Sequence, residues 1–447
     1  MIYRLHLFRL CQLALLLFAS HYAFSDGTDV AQQSTKTIGD HACAESSLCA
    51  IGVQVGVRPH YLIDVMAPGE LKETLQSCEH GPFRKTDFSI AHRGAPLQFP
   101  EHTRESYMAA ARLGAGIIEC DVTFTKDKEL VCRHSQCDLH TTTDILLTPL
   151  AKTCRGPFQA AQFDTKGNLV TPASVECCTS DITLAEFKTL KGRMDNHDPR
   201  ATTPEQYLGF QDIGQNNLYA EPGTLMTHRE SIDLFTALQV KMTPELKPPQ
   251  VPMPFEGFTQ ENYARKLIAE YEAAEINPED VYAQSFYLDD ILYWIKETPA
   301  FGNQAILLEG RDSLSDFDSR NIDEHSPSLK AISDMGVNII APPMWMLLEV
   351  EDGAIVPSAY ARAAQSAGLN IIPWSIERSG PLASGGGYYY QSLNGQNPNP
   401  VAPHDGVIAS DGDLMRVLHA LTTQVGISGI FSDWPGTVTY YANCMGL

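Results

Sequence analysis

Two histidines, an arginine, a lysine and three carboxylates stand out in this chain because of where they fall. His92 and Arg93 close one apolar run, SIAHRG, and Glu119 and Asp121 lie two apart in a second, GIIECDVTF. His134 ends a third run, LVCRHS, and Glu245 and Lys247 are again two apart in KMTPELK. Strand side chains alternate between faces, so the members of each spaced pair point the same way. Two carboxylates on one buried face repel each other and lose hydration, and a cation relieves both. Oxygen ligands favour a hard ion, Ca²⁺ or Mg²⁺, over zinc. Arginine holds phosphate through paired hydrogen bonds and lysine acts as a point charge. Imidazole exchanges protons near neutral pH. Cleaving a phosphodiester requires an activated nucleophile and a protonated leaving group, two tasks that two imidazoles can divide. The inventory suits metal-assisted cleavage of a phosphate ester. Taken singly, each feature has a plainer reading: a strand-end histidine is usually a satisfied structural residue, and Glu-x-Asp or Glu-x-Lys is usually solvated or salt-bridged.

The combination gains weight from the elements that carry it. Candidate strands occupy 88–92, 117–124, 130–134, 241–247, 281–286, 305–310, 336–341, 369–375 and 429–433. Helical patterns lie between many of them, at 103–113, 260–274, 287–297, 357–367 and 411–424. Alternating strand and helix indicates a parallel barrel or an open α/β sheet. Only Thr125 to Glu129 separate the second and third runs, too few for a parallel crossover, so that pair forms a hairpin. Setting the hairpin strand aside leaves eight, the number a (β/α)₈ TIM barrel requires. In that fold functional groups gather at the C-terminal strand ends, where the hairpin returns His134 towards Glu119 and Asp121. Residues 135–235 interrupt the alternation with four cysteines and one clear helical stretch, Thr183–Lys191, and read as a cysteine-rich insertion over the barrel mouth. The loop Gly380–Pro403, SGGGYYYQSLNGQNPNP in its centre, reads either as a mobile rim or as a linker.

Composition bounds the answer further. The 447 residues are 43% apolar, enough for a large core, and the net charge of −22 opposes binding to nucleic acid. Arg4 and Arg9 precede an apolar run, Leu10 to Ala19, too short to span a bilayer, and Ala23-Phe24-Ser25 offers a cleavage site. This reads as a signal peptide over 1–25, followed by an extension of unclear role over 26–86 and a barrel over 87–447. The chain is then expected to be secreted or periplasmic, with no membrane span in its mature form. Removal of the leader, and Cys11 with it, leaves an even ten cysteines, which suggests disulfides rather than zinc. Their pairing is not readable, but 132, 137, 154, 177 and 178 crowd together.

The motifs AHRG, PEHT, IECDVTFTKD and VCRH, followed by DITLAEFKTL, TPELK, VYAQSF, IIPWS and GISGIFSDWPGTV, resemble the glycerophosphodiester phosphodiesterase family. They occur in the family's order from about Phe88 to Tyr441. TPELKPP and the long insertion look most similar to its periplasmic, calcium-dependent branch. The resemblance implies hydrolysis of small-molecule glycerophosphodiesters to sn-glycerol 3-phosphate and an alcohol. It implies His92 and His134 as the acid–base pair, in an order left open. Glu119, Asp121 and Glu245 would ligate one divalent cation, calcium or alternatively magnesium. Arg93 and Lys247 would bind the phosphate, Gln284 would face the site, Trp374 would line a glycerol pocket, and Glu101 would brace the loop after the first strand. Two departures stand out. Cys120 separates the two carboxylates, with its side chain expected to face away and matter little. Ser135 follows His134 where the family has Asp, which puts the positioning of that histidine in question. Two other readings share the residues: a phospholipase D cleaving lysolipids or sphingolipids, with Tyr388, Tyr389 and Tyr390 as a membrane-facing rim, and a non-catalytic glycerophosphodiester-binding protein.

Overall fold

Eight short parallel strands build the molecule around the groups singled out above. The computed structural model describes residues 52–209, 223–313, 318–319, 321–395 and 406–447. The barrel strands are β1 (Thr86–Ala91), β2 (Ala115–Phe124), β4 (Lys241–Leu246), β5 (Gln284–Ser285), β6 (Ile306–Leu308), β7 (Ile339–Ala341), β8 (Asn370–Ile371) and β9 (Ile430–Ser432). Between β2 and β4 comes the hairpin strand β3 (Leu130–Cys132), antiparallel to β2 with Val122 opposite Cys132. The parallel ladder runs β8-β7-β6-β5-β4-β2-β1-β9. Backbone bonds between the 371–376 and 428–433 segments close the ring: Ser428 N–H to Ile371 O at 2.9 Å, Phe431 N–H to Pro373 O at 3.0 Å and Ile376 N–H to Phe431 O at 2.9 Å. The expected barrel and hairpin are both present.

Strand alternation explains how a charged site sits on a dry barrel. All of β2 is buried, as expected of a parallel strand covered on both faces. Ile117 joins Ile90, Ile306, Leu308, Ile339, Ala341, Ile372 and Phe431 inside the barrel. Ile118, Cys120 and Val122 face the outer helices. Glu119 and Asp121 have the inward parity of Ile117 and stand nearer the C-terminal end. Gly116 permits the close approach of β1, because a Cβ there would lie 2.5 Å from the Thr86 carbonyl.

Several elements depart from the sequence-based expectations. The helix after β2, His228–Leu238, begins inside the stretch read as insertion, behind a capping box of Thr227 and Glu230. The expected helix over Thr183–Lys191 shrinks to one turn, Leu184–Phe187. The insertion has its own core, including Leu139, Ile145, Phe187 and Tyr207, tied by the disulfides Cys137–Cys178 and Cys154–Cys177. Residues 52–85 form helices Arg58–Asp64 and Glu70–Gln76, whose Leu62, Ile63 and Leu75 enter the barrel's outer core. Cys78 is bonded to Cys444 at the end of the closing helix, Pro435–Met445. The leader over 1–25, with Cys43 and Cys49, lies outside the described residues. Among those described, no helix is long and apolar enough to cross a membrane.

Candidate active site

The first strand ends in a tight turn whose backbone is part of the site. His92 donates its N–H to Ser432 O at 3.0 Å, tying β1 to β9. Arg93 has a φ of 57°, and Gly94 a φ of 93°. A Cβ on Gly94 would lie 2.4 Å from Ser106 Oγ, so only glycine fits this turn. The turn aims the Arg93 N–H at Glu119 Oε2, 2.9 Å away. The Arg93 guanidinium is held by Glu101 Oε2 at 3.0 Å, with its Nε 3.9 Å from Asp121 Oδ2. Glu101 braces the loop after the first strand, as expected, by holding this arginine at the loop's other end.

The carboxylates converge as β2 and β4 dictate, with Glu245 opposite Asp121 in the ladder. Glu119, Asp121 and Glu245 each offer an oxygen, and these oxygens lie within 4.8 Å of one another. Gln284 Nε2 donates to Glu119 Oε1 at 2.8 Å, and Lys247 Nζ lies 2.6 Å from Glu245 Oε1. His102, on the PEHT turn, bonds Asp121 Oδ2 through Nε2 at 2.9 Å, while its Nδ1 meets Tyr107 Oη at 3.0 Å. With Nε2–H donated to the carboxylate, Nδ1 accepts from the tyrosine. The other oxygen of Asp121, Oδ1, is buried without a hydrogen-bond partner.

His92 and His134 approach from different elements. His92 Nδ1 is 3.2 Å from both oxygens of Asp433, just past β9, and its Nε2 is 3.9 Å from Glu119 Oε2. Arg378 holds Asp433 from behind at 3.1 Å. His134 follows β3 on a hairpin fastened to β2 by the Cys120–Cys132 disulfide and by the Arg133 N–H to Asp121 O bond at 2.8 Å. The Arg133 side chain is fully buried and donates to the carbonyls of Cys132, Thr142 and Glu101. Ser135, which replaces the family's Asp, receives local support from Asp138, whose Oδ2 accepts the Ser135 N–H at 3.0 Å. Cys120 does face away from the site, but it is not inert: it is half of the bridge behind His134.

One cavity of about 70 Å³ is lined by His92, Arg93, Glu119, His134, Glu245, Lys247, Gln284 and Trp374. Asp121 stands beside it through its partners above. Trp374 points an edge at Phe286, with ring centres 6.2 Å apart, and donates Nε1–H to Ala341 O at 2.8 Å. The structure therefore brings all nine sequence-predicted residues together. Sequence reasoning missed Asp433, His102 and Arg378; the only signal for the first two was their presence in SDWPG and PEHT.

Burial and mutual repulsion shift the titration of the site's acids and histidines. Five buried acids (Glu101, Glu119, Asp121, Glu245 and Asp433) face the basic Arg93, Lys247 and Arg378. Burial, then Asp121 and Glu245, raises the Glu119 carboxyl well above its ordinary range, and burial pushes Glu245 up to about 7. Burial also opposes ionisation of Asp121, but Lys247 and His102 outweigh it and hold that carboxyl well below its usual range. Burial together with Arg93 lowers His92 despite Asp433, and burial with Arg93 and Lys247 lowers His134 well below the ordinary imidazole range. Three convergent carboxylates, with Asp121 Oδ1 partnerless, fit a hard divalent cation.

Comparison with known proteins identifies the family. The family model described as "Glycerophosphoryl diester phosphodiesterase family" matches residues 92–437. An "Extracellular protein" of Arthroderma benhamiae is 39% identical over 260 residues, 57% of this chain and all of that protein. A glycerophosphodiester phosphodiesterase of Arabidopsis thaliana is 32% identical over 133 residues, 30% of this chain and 31% of that one. Among solved structures, a putative glycerophosphoryl diester phosphodiesterase of Silicibacter pomeroyi superposes with a TM-score of 0.51 at 17% identity, covering 82% of this chain and 96% of that one. The likeness to that structure shows the shared barrel. The chain belongs to the glycerophosphoryl diester phosphodiesterase family, and it is an enzyme that hydrolyses glycerophosphodiesters.

Proposed function

We propose that this enzyme releases sn-glycerol 3-phosphate and an alcohol by two-histidine acid–base catalysis with one divalent cation, calcium in preference to magnesium. The observation that carries the reading is the meeting of three carboxylate oxygens within 4.8 Å, at a cavity lined by two of those carboxylates, both histidines and both cationic side chains. Glu119, Asp121 and Glu245 would hold the ion, which when bound supplies Lewis-acid polarisation and a template for the substrate oxygens. Arg93 and Lys247 lie where they can neutralise charge that grows on the phosphoryl oxygens. With Nδ1–H donated to Asp433, His92 presents Nε2 as an acceptor, and its lowered basicity keeps that lone pair free at neutral pH. His92 is therefore assigned as the base that deprotonates the nucleophile, and His134 as the group that protonates the leaving alkoxide, once the bound anionic phosphate offsets Arg93 and Lys247 and lets the ring take up a proton. Gln284 orients Glu119, and Trp374 forms a wall for the glycerol moiety.

The division of labour is testable through the leaving group. Loss of His134 slows release of choline, a poor leaving alkoxide, by roughly 10² or more. With a p-nitrophenyl ester, whose leaving group needs no proton, His134→Ala retains most of its rate, whereas His92→Ala remains slow. Equal losses on both esters would overturn the assignment. Secretion with removal of residues 1–25 is part of the same proposal, supported by the leader's composition and by the name of the extracellular relative. N-terminal sequencing of the exported protein checks it; an intact Met1 would refute it.

A further inference from the structure

A second and larger cavity, about 630 Å³, adjoins the catalytic one. It lies between the β6 and β7 edge of the barrel and helices Leu288–Glu297 and Leu329–Asp334, with apolar walls from Leu288, Leu307, Leu329, Ile332 and Ile340. Phe286, Leu308 and Trp374 line both cavities, so the two spaces meet at one apolar partition. The charged pair in the larger cavity is closed on itself. Arg311 bonds both Glu309 oxygens and the Pro327 carbonyl, and Tyr360 donates to Glu309 Oε2 at 2.9 Å. No orphaned polar group in the described lining solicits a polar ligand. An aromatic row runs outward from the partition. Ring centres step from Trp374 to Tyr389 at 5.9 Å, to Tyr388 at 5.0 Å and on to Trp345 at 6.3 Å, and Tyr388 is 43% exposed.

A glycerol or choline group gains nothing from apolar walls of this size, whereas each buried methylene does. We propose that this cavity receives an alkyl chain carried by the phosphodiester itself, so that the enzyme prefers glycerophosphodiesters bearing such a chain over glycerophosphocholine. The inference rests on the reading of the catalytic site above and leaves its chemistry unchanged. The water oxygen forms the new P–O bond, the P–O bond to the alcohol breaks, and the alcohol departs with a proton. The chain could sit on the glycerol, as in a lysophospholipid, or on the leaving alcohol. Both present the same apolar surface to the partition.

The test compares kcat/KM for glycerophosphocholine, for glycerophospho-n-alkanols and for lysophosphatidylcholines of increasing length, each below its micellar concentration. In one series kcat/KM is expected to rise about threefold per methylene until the cavity fills, and that series identifies the ester arm that carries the chain. Ile332→Trp, which fills the cavity from the helix side, flattens the rise while leaving glycerophosphocholine turnover within about twofold of wild type. Should that variant fail to fold, competition by n-alkyl phosphates on the wild-type enzyme reads the same dependence as a falling Ki. Turnover of glycerophosphocholine with flat profiles in both series would overturn this inference alone. Absence of turnover with every diester would overturn the catalytic reading and this inference with it.

Discussion

The two halves of the barrel mouth solve opposite problems. Around β1, β2, β4 and β9 the strand ends carry buried titratable groups, most of them paired: Arg93 with Glu101, Asp121 with His102, His92 with Asp433, Lys247 with Glu245. Around β5, β6 and β7 the lining is mostly apolar, and the one ion pair is self-contained. Buried charge is stable only when it is compensated, so the first half is over-braced and intolerant of change. Apolar walls have no directional requirement, so the second half can vary in volume at modest cost. On the proposals above, the first half carries the chemistry and the second the selectivity.

This contrast can be broken most severely at the carboxylates. Chelation, or Glu119→Gln, is expected to lower kcat/KM by about 10³ or more, restored by calcium only in the chelated wild type. Activity indifferent to chelator would remove the ion from the account. Next comes Asp433→Asn, which frees the His92 tautomer and is expected to lower kcat by roughly 10² or more, with KM little changed. A change confined to KM would show that Asp433 acts elsewhere. His102→Gln weakens the support of Asp121 and is expected to reduce metal affinity by about 10–100-fold, read by calorimetric titration. An unaltered affinity would make His102 purely architectural. Replacing Cys120 and Cys132 together by alanine releases the hairpin behind His134, with about tenfold slower turnover and a lower Tm. A double variant as fast as wild type would show that the hairpin holds without the bridge.

The smallest expected effect is one of stability. Burial pushes Asp138 up to about 7, from an ordinary value near 3.9. The folded state thus keeps a proton that the unfolded chain has lost. The resulting penalty is absent below about pH 4, grows as pH rises and is complete above about pH 7. Asp138→Asn removes it, so the variant's Tm advantage over wild type is expected to widen by roughly 2–4 °C between pH 5 and 8. A constant difference across that range would contradict the assignment.

Much of the site was legible because periodicity and spacing are local. The parity of Glu119 with Asp121, and of Glu245 with Lys247, follows from strand alternation alone, and the short Thr125–Glu129 link forced the hairpin that carries His134. The start of the helix at His228 was also present as a capping box, but the cysteine-rich stretch before it masked the signal. The second turn of the 183–191 pattern was lost because Lys191–Gly192 pair as a strand with Gly223–Thr224 and the Lys191 N–H goes to Asp144 Oδ1 at 2.8 Å. Residues 52–85 held few cues, since short helices such as Arg58–Asp64 draw their stability from the closing helix and not from their own propensity. Arg58, in that segment, reaches Glu377 at 2.8 Å, beside the Arg378 that holds Asp433. The aromatic triplet 388–390 divides: Tyr388 is exposed and Tyr390 fully buried, a split that composition does not disclose.

By itself the sequence determined which groups gather at the site, on which strands they ride and which way each spaced pair points, because those properties are set by neighbours one or two residues apart. The partners were decided only by tertiary structure. Asp433 lies 341 residues from His92, Gln284 lies 165 from Glu119, and Cys444 lies 366 from Cys78. Closure of the barrel brings each pair together, and no local pattern encodes which distant side chain will stand opposite. The apolar cavity belongs to the same class, since it is a space between strands and helices and has no residue of its own in the chain.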